Sequence, residues 1–194
     1  REEFSQEFQR LCKRIENDAA RLSRAFPLVL HVGVYGTDTA GSGELSFMDM
    51  LNRANIALRV AKEGRSDTCV FYSEDMRGLA LRQLDIESRM ENALRGSQFK
   101  LYFQPKVDIQ NGNCVHGAEV LARWQRPGRG FVPPSDFIPL FERNGFIVDL
   151  DAFMFEQACA YLASRRSRGL PPLRLSVNVS RMSLGQKSFL ERYT

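Results

Sequence analysis

Phe4, Phe8, Leu11, Cys12, Ile15, Ala19 and Leu22 recur at helical spacing, which predicts an amphipathic helix over residues 3–25. After Pro27, "LVLHVGV" reads as a short buried strand. The segment "GTDTAGSGELS" is a glycine-rich, small and polar loop, and Ser46 is placed to cap the helix that follows. That helix carries Phe47, Leu51, Ala54, Leu58 and Ala61 on one stripe and ends near Gly64. "TCVFY" is a second short strand, and one long helix is predicted from Ser73 to about Arg95.

The pattern then changes from a period of 3.6 to a period of 2. In "FKLYFQPKVDIQNG", Leu101, Phe103, Val107 and Ile109 face one way, and Tyr102, Gln104, Lys106 and Asp108 the other. Asn-Gly at 111–112 marks a turn, and "HGAEVLARWQRP" follows as a second strand. Ser135 is expected to cap a short helix that stops at Gly145. Leu150, Phe153, Met154, Ala158, Tyr161 and Leu162 predict the next helix, which ends at Gly169. "LRLSVNVS" is again a strand, with Leu173, Leu175, Val177 and Val179 on one face and Arg174, Ser176, Asn178 and Ser180 on the other.

In the second strand, Glu119 and Arg123 share a face with Leu121. Charges on a half-buried face are expensive without partners. The partner is either the other charge, giving a plain structural ion pair, or a metal ion and a phosphate. Strands with one apolar and one polar face, separated by helices, do not suit a doubly wound sheet, whose two faces are both covered. A parallel β/α barrel suits them: helices cover the outer face, and the inner face near the mouth carries polar chemistry. A closed barrel takes about 250 residues, so the barrel in the second half of this 194-residue chain is expected to be partial.

Composition narrows the function classes. Apolar residues make up 43% and charged residues 26%, as in ordinary globular proteins. No run is long enough to span a bilayer and no leader opens the chain, so a cytoplasmic protein with no membrane contact is expected, the parent being free to carry an anchor elsewhere. Cys12, Cys69, Cys114 and Cys159 are too widely spaced for a zinc site or a disulfide framework, and each is expected to be a small buried residue in a reducing compartment. The net charge of +4 is mild and its only basic run, "SRRSRG", suits a solvated helix C-terminus. With no interleaved aromatic and basic patch, a nucleic acid polymer is not expected as a partner. His31 and His116 are isolated, and Trp124 and Phe137 are expected in the core.

"YFQPKVD", "GAEVLARWQRPGRGFVPPSDFIPLFERNGFI" and "LSVNVS" resemble, in order and spacing, the EAL family of cyclic-di-GMP phosphodiesterases, with "EVLAR" at the place of the eponymous motif. The likeness runs from about residue 88 to 183. "LVLHVGVYG" and "MLNRANIALRVAKEGR" are similar to the late strand and last helix of a GGDEF domain, the diguanylate-cyclase fold. There the chain departs from the pattern. Asn55 stands where an acidic residue is usual, the spacing of Lys62 and Arg65 is one short, and the signature loop is not visible beyond a trace in "REEF". Cyclase activity is therefore not expected.

The resemblance implies an α/β chain: a partial (β/α) TIM-like barrel over 98–194, a linker helix over 74–97, and the C-terminal part of an α+β GGDEF-like domain over 1–73. It implies hydrolysis of cyclic-di-GMP to the linear dinucleotide with two divalent cations, Mg²⁺ or Mn²⁺, and homodimers formed through EAL domains. It makes Glu119 and Asn178 metal ligands, Arg123 a phosphate holder, and Gln104 and Leu121 part of the substrate site. A carboxylate and an amide carbonyl are the oxygen donors hard cations prefer, and a planar guanidinium suits phosphate oxygens. Read singly, Asn178 also suits a backbone partner in a turn, and Gln104 an ordinary strand end. The family's other acidic ligands, paired aspartates, lysine and general-base glutamate would lie beyond residue 194. As an entire molecule the chain would be inactive and would expose apolar surface. The alternative is a receptor or scaffold that binds the nucleotide without cutting it.

Overall fold

The computed structural model describes residues 2–22, 29–36, 45–64, 69–110 and 112–193, which divide into compact units at residue 82/83. Each unit is mixed α/β.

In the first unit, helix α1 (Glu2–Leu22) replaces the predicted helix over 3–25, of which 23–25 lie outside the described residues. Its buried stripe is narrower than expected. Cys12 is buried and Phe8 half-buried, but Phe4, Leu11 and Ile15 are exposed; among the described residues α1 packs beside a sheet of two strands. The strands are β1 (Val32–Val34) and β2 (Cys69–Phe71), paired in parallel. Helix α2 (Phe47–Glu63) begins at Ser46 as predicted, with Ser46 Oγ accepting from the Asp49 amide, and ends at Gly64. It turns Ala57 and Ala61 inward and leaves Phe47 and Leu51 exposed. Gly33 explains that choice: a Cβ there would lie 2.2 Å from the Ala54 carbonyl oxygen and the Leu58 nitrogen, so strand and helix backbones touch where only small residues fit. Residues 37–44 of the predicted loop lie outside the described residues.

The helix predicted from Ser73 to Arg95 is two helices, α3 (Glu74–Glu87) and α4 (Met90–Arg95). The break has a local cause. The Ser88 hydroxyl donates to the Asp85 carbonyl, and the Arg89 amide turns to Ile86 instead of continuing the four-residue ladder.

The second unit is built on β4 (Cys114–Arg126). Strand β3 (Phe99–Asp108) pairs with it antiparallel along one side; β5 (Gly130–Val132) and β6 (Arg174–Val177) pair with it on the other, β5 antiparallel at Trp124–Arg126 and β6 parallel at Gly117–Val120. Gly112 has φ +78°, the left-handed value that a tight hairpin turn requires, while Asn111 lies outside the described residues. Helices α5 (Pro134–Asn144) and α6 (Ile147–Ser167) separate β5 from β6, and α7 (Arg181–Leu184) and α8 (Phe189–Tyr193) follow. Ser135 does not cap α5. Proline suits the first helical position, having no amide hydrogen to satisfy, so Pro134 opens the helix and Ser135 sits inside it. Gly145 ends α5 with φ +85°.

One face of this sheet is apolar and covered by helices. Trp124, Phe137 and Phe141 are fully buried, and their rings pack with one another and with Phe99 at centroid distances of 5.1–6.2 Å. The Trp124 indole N–H donates to Gln98 Oε1 at 3.1 Å, so even this apolar centre leaves no polar edge unpaired. The predicted alternation of β3 fails past a register shift between Lys106 and Val107, and Val107 and Ile109 are exposed. Cys12 and Cys69 are buried as expected. Cys114, at the hairpin end, and Cys159, on an outward turn of α6, are exposed.

Candidate functional site

The other face of the sheet is polar, and strand register decides what meets on it. Gln104 lies opposite Glu119, and Glu119 opposite Ser176, so a carboxamide, a carboxylate and a hydroxyl form one row across β3, β4 and β6. Lys106, in the adjoining row, reaches across to donate to Ser176 Oγ at 2.7 Å.

Strand β6 ends at Val177, so Asn178 belongs to the turn beyond it rather than to the strand. Its side chain still comes to the polar face, where Nδ2 donates to Glu119 Oε1 at 2.8 Å. Ser180, predicted on that face, instead caps α7, its Oγ accepting from the Ser183 amide. Glu119 is half-buried and Asn178 exposed, so the pair sits at a solvent-facing rim and not inside hydrocarbon.

Among the described residues no ion pair joins Glu119 to Arg123. Arg123 Nη1 donates to the carbonyl of Ala122 at 2.9 Å, and the guanidinium lies 5.7 Å from the centre of the Tyr102 ring. One N–H is thereby engaged and the fork is held on its strand, with further donors free to meet an anion. Arg123, Leu121 and Asn178 line a common cavity of about 120 Å³; Gln104 and Glu119 stand outside its lining.

Two oxygen-bearing side chains in contact are a credible start for a cation site. The amide now presents nitrogen to Glu119, and a half turn about its last bond would present the carbonyl oxygen, giving a carboxylate and an amide oxygen to one ion. Among the described residues, no cluster of three or more His, Cys, Asp and Glu side chains gathers. A divalent cation with six oxygen ligands would therefore need others besides these.

Sequence patterning does not single out Asp151. On α6 it lies between the buried Leu150 and Ala152, is 8% exposed, and lines the same cavity as Arg123 and Asn178. A carboxylate inside an apolar helical stripe is the only sequence signal that marks it, and its partners lie some thirty residues on, at Ser180 and Ser183.

Among the described residues, no helix is long and apolar enough to cross a membrane. The family model described as the EAL domain matches residues 87–194. The chain is 32% identical over 185 residues to the cyclic di-GMP phosphodiesterase NbdA of Pseudomonas aeruginosa, covering 94% of this chain and 23% of that protein. It is 31% identical over 152 residues to the bifunctional diguanylate cyclase/cyclic di-GMP phosphodiesterase MucR of the same organism, covering 78% of this chain and 22% of the relative. The chain thus spans less than a quarter of the length of these relatives. Among solved structures, the PaMucR phosphodiesterase in complex with c-di-GMP superposes with a TM-score of 0.51 at 28% identity, over 56% of this chain and 44% of that one. The Xanthomonas citri FimX EAL domain in complex with c-diGMP shares the fold, with a TM-score of 0.51 at 21% identity, over 60% of this chain and 44% of that one. The polar row of β3, β4 and β6 lies inside the matched stretch, and the chain belongs to the EAL domain family.

Proposed function

We propose that this chain supplies part of the active site of a cyclic-di-GMP phosphodiesterase, which in the parent protein cuts the cyclic dinucleotide to its linear form. The contact between Glu119 on β4 and Asn178, one residue past β6, carries this reading, because it brings two side chains able to ligate a metal to one solvent-facing point. Glu119 and Asn178 would hold divalent cation, Mg²⁺ or Mn²⁺, with the remaining ligands supplied by other parts of the parent, by substrate oxygens and by water. Bound cations would polarise the phosphodiester and acidify a water molecule. The chain's own residues bind and orient the nucleotide. Arg123, held by Ala122 and Tyr102, presents its free N–H groups to a phosphate, and Leu121, two residues before it on the same face of β4, gives an apolar contact. Gln104, opposite Glu119, offers a carboxamide to the substrate's polar edges.

In this reading residues 98–194 form the first part of a (β/α) barrel, 74–97 a linker made of the two helices α3 and α4, and 1–73 the end of a GGDEF-like domain. The parent is a cytoplasmic-facing homodimer joined through its EAL domains. The test is the parent protein incubated with cyclic-di-GMP and Mn²⁺ and followed for the linear product. Glu119→Ala is expected to lower turnover at least a hundredfold, since a lost metal ligand removes several kcal/mol of charge stabilisation. Undiminished hydrolysis by that variant refutes the ligand assignment. Nucleotide binding by the intact parent without any linear product points to the receptor instead.

A further inference from the structure

Asn178 is one residue past the end of a strand, a position where a side chain ordinarily wanders. On its N-terminal side the chain is fixed by register, Ser176 to Glu119 and Val177 to Val120. On its C-terminal side, two residues on, the Ser180 amide donates to Asp151 Oδ2 at 2.7 Å. The same Oδ2 accepts from Ser183 Oγ at 2.7 Å, and the Ser183 amide donates back to Ser180 Oγ at 3.1 Å. The hydroxyls of Ser180 and Ser183 are 3.0 Å apart. Because the proton of Ser183 goes to the carboxylate, Ser180 must donate in that contact. Asp151 is 8% exposed and Ser183 1% exposed, with Ser180 half-buried at the edge of the network.

We propose that Asp151 is a positioning residue for metal binding: it clamps the turn after β6 and so holds Asn178 against Glu119. This rests on the reading of Asn178 as a metal ligand. Burying a carboxylate on the apolar side of α6 is unfavourable unless it is fully bonded. The structure shows what that cost secures. Only Asn178 and Val179 separate the strand from the clamped serine, so the two anchors leave the Asn178 backbone little freedom. Loss of an outer partner of a ligating side chain typically weakens metal binding 10- to 100-fold.

The experiment uses the parent protein and Mn²⁺ itself, with binding measured by electron paramagnetic resonance in the absence of nucleotide. Asp151→Ala is expected to weaken Mn²⁺ binding about 10-fold or more. Asp151→Asn, which keeps an oxygen able to accept both bonds, is expected to stay close to the unsubstituted protein. In an Asn178→Ala background, Asp151→Ala is expected to add nothing, and the Ser180 amide is expected to lose hydrogen-exchange protection in Asp151→Ala. If Asn178→Ala weakens binding but Asp151→Ala does not, or if Asp151→Ala adds its full effect to Asn178→Ala, the inference is overturned while the site reading stands. If Asn178→Ala itself leaves Mn²⁺ binding unchanged, the site reading falls and the inference with it. Should Asp151→Ala lose the fluorescence signature of buried Trp124, Ser183→Ala removes one of the two bonds and is expected to weaken binding about threefold; unchanged binding in that variant overturns the proposal.

Discussion

Asp85 and Arg126 tie the end of α3 to the end of β4, and removing the carboxylate with Asp85→Ala tests what that tie is worth. Arg126 Nη1 and Nη2 reach Oδ2 and Oδ1 at 2.6 and 3.3 Å, a two-pronged contact, and Arg89 Nε adds a third bond at 2.7 Å. The Arg126 side chain is 10% exposed and that of Asp85 31%. Breaking a fully buried pair costs about 3–5 kcal/mol, and exposed pairs contribute about 0.2–1 kcal/mol. With one partner buried and the other reached by water, the expected loss lies between, at about 2 kcal/mol. Trp124 is the chain's only tryptophan and is fully buried in the same unit, so its emission during urea unfolding reports this unit. At a typical slope of about 1–3 kcal/mol per molar urea, the midpoint should fall by about 1 M.

The same substitution has a pH signature. Hydrogen bonds from Arg126 and then Arg89 hold the Asp85 carboxyl well below its ordinary value of 3.8. Because the folded-state value is lowered, the contribution is complete above the ordinary value and declines as pH falls toward the folded one. The gap between the protein and Asp85→Ala should therefore be flat from pH 7 to 5 and narrow by about 1 kcal/mol at pH 3. A loss under about 0.5 kcal/mol at pH 7, or a gap that does not narrow in acid, would show that the contact does no more than an ordinary surface pair.

Phe141→Ala should cost about 3–5 kcal/mol by the same emission assay, since a fully buried ring against Phe99, Phe137 and Phe146 leaves a cavity. Gly33→Ala should open the first unit to proteolysis, because the added carbon meets backbone atoms of α2 that cannot step aside. With an aromatic disulfide reagent, Cys114 and Cys159 should react readily in the folded chain. Cys12 and Cys69 should wait for unfolding, since burial shields both sulfurs and pushes both thiols above their ordinary value.

Patterns with short reach were legible in the sequence. Alternation put Gln104, Glu119 and Arg123 on polar faces, Asn-Gly marked the hairpin, and Ser46 and Gly145 marked helix ends. The meeting of Glu119 with Asn178 was legible only through the family resemblance, since the two residues are 59 positions apart and the pairing of β6 with β4 and the turn beyond it bring them together. What escaped depends on a competitor that pattern does not show. Ser88 outcompeted the helical ladder, Pro134 pre-empted Ser135 as the start of α5, and a register shift ended the alternation of β3. Asp151 carries no mark in the sequence beyond its place in an apolar stripe, because its partners lie some thirty residues further on.

Strand β4 is gripped from both sides, by β3 on one and by β5 and β6 on the other. Adding a single residue between Glu119 and Arg123 would turn half of this strand inside out, sending Trp124 to water and Arg123 to the core side. Near the hairpin tip the situation is opposite: Gly112 has open space around it and Cys114, Val115 and His116 are exposed. A label or reporter loop inserted at the tip would leave both the aromatic centre and the polar row intact, which makes it the natural handle for watching the site without touching it.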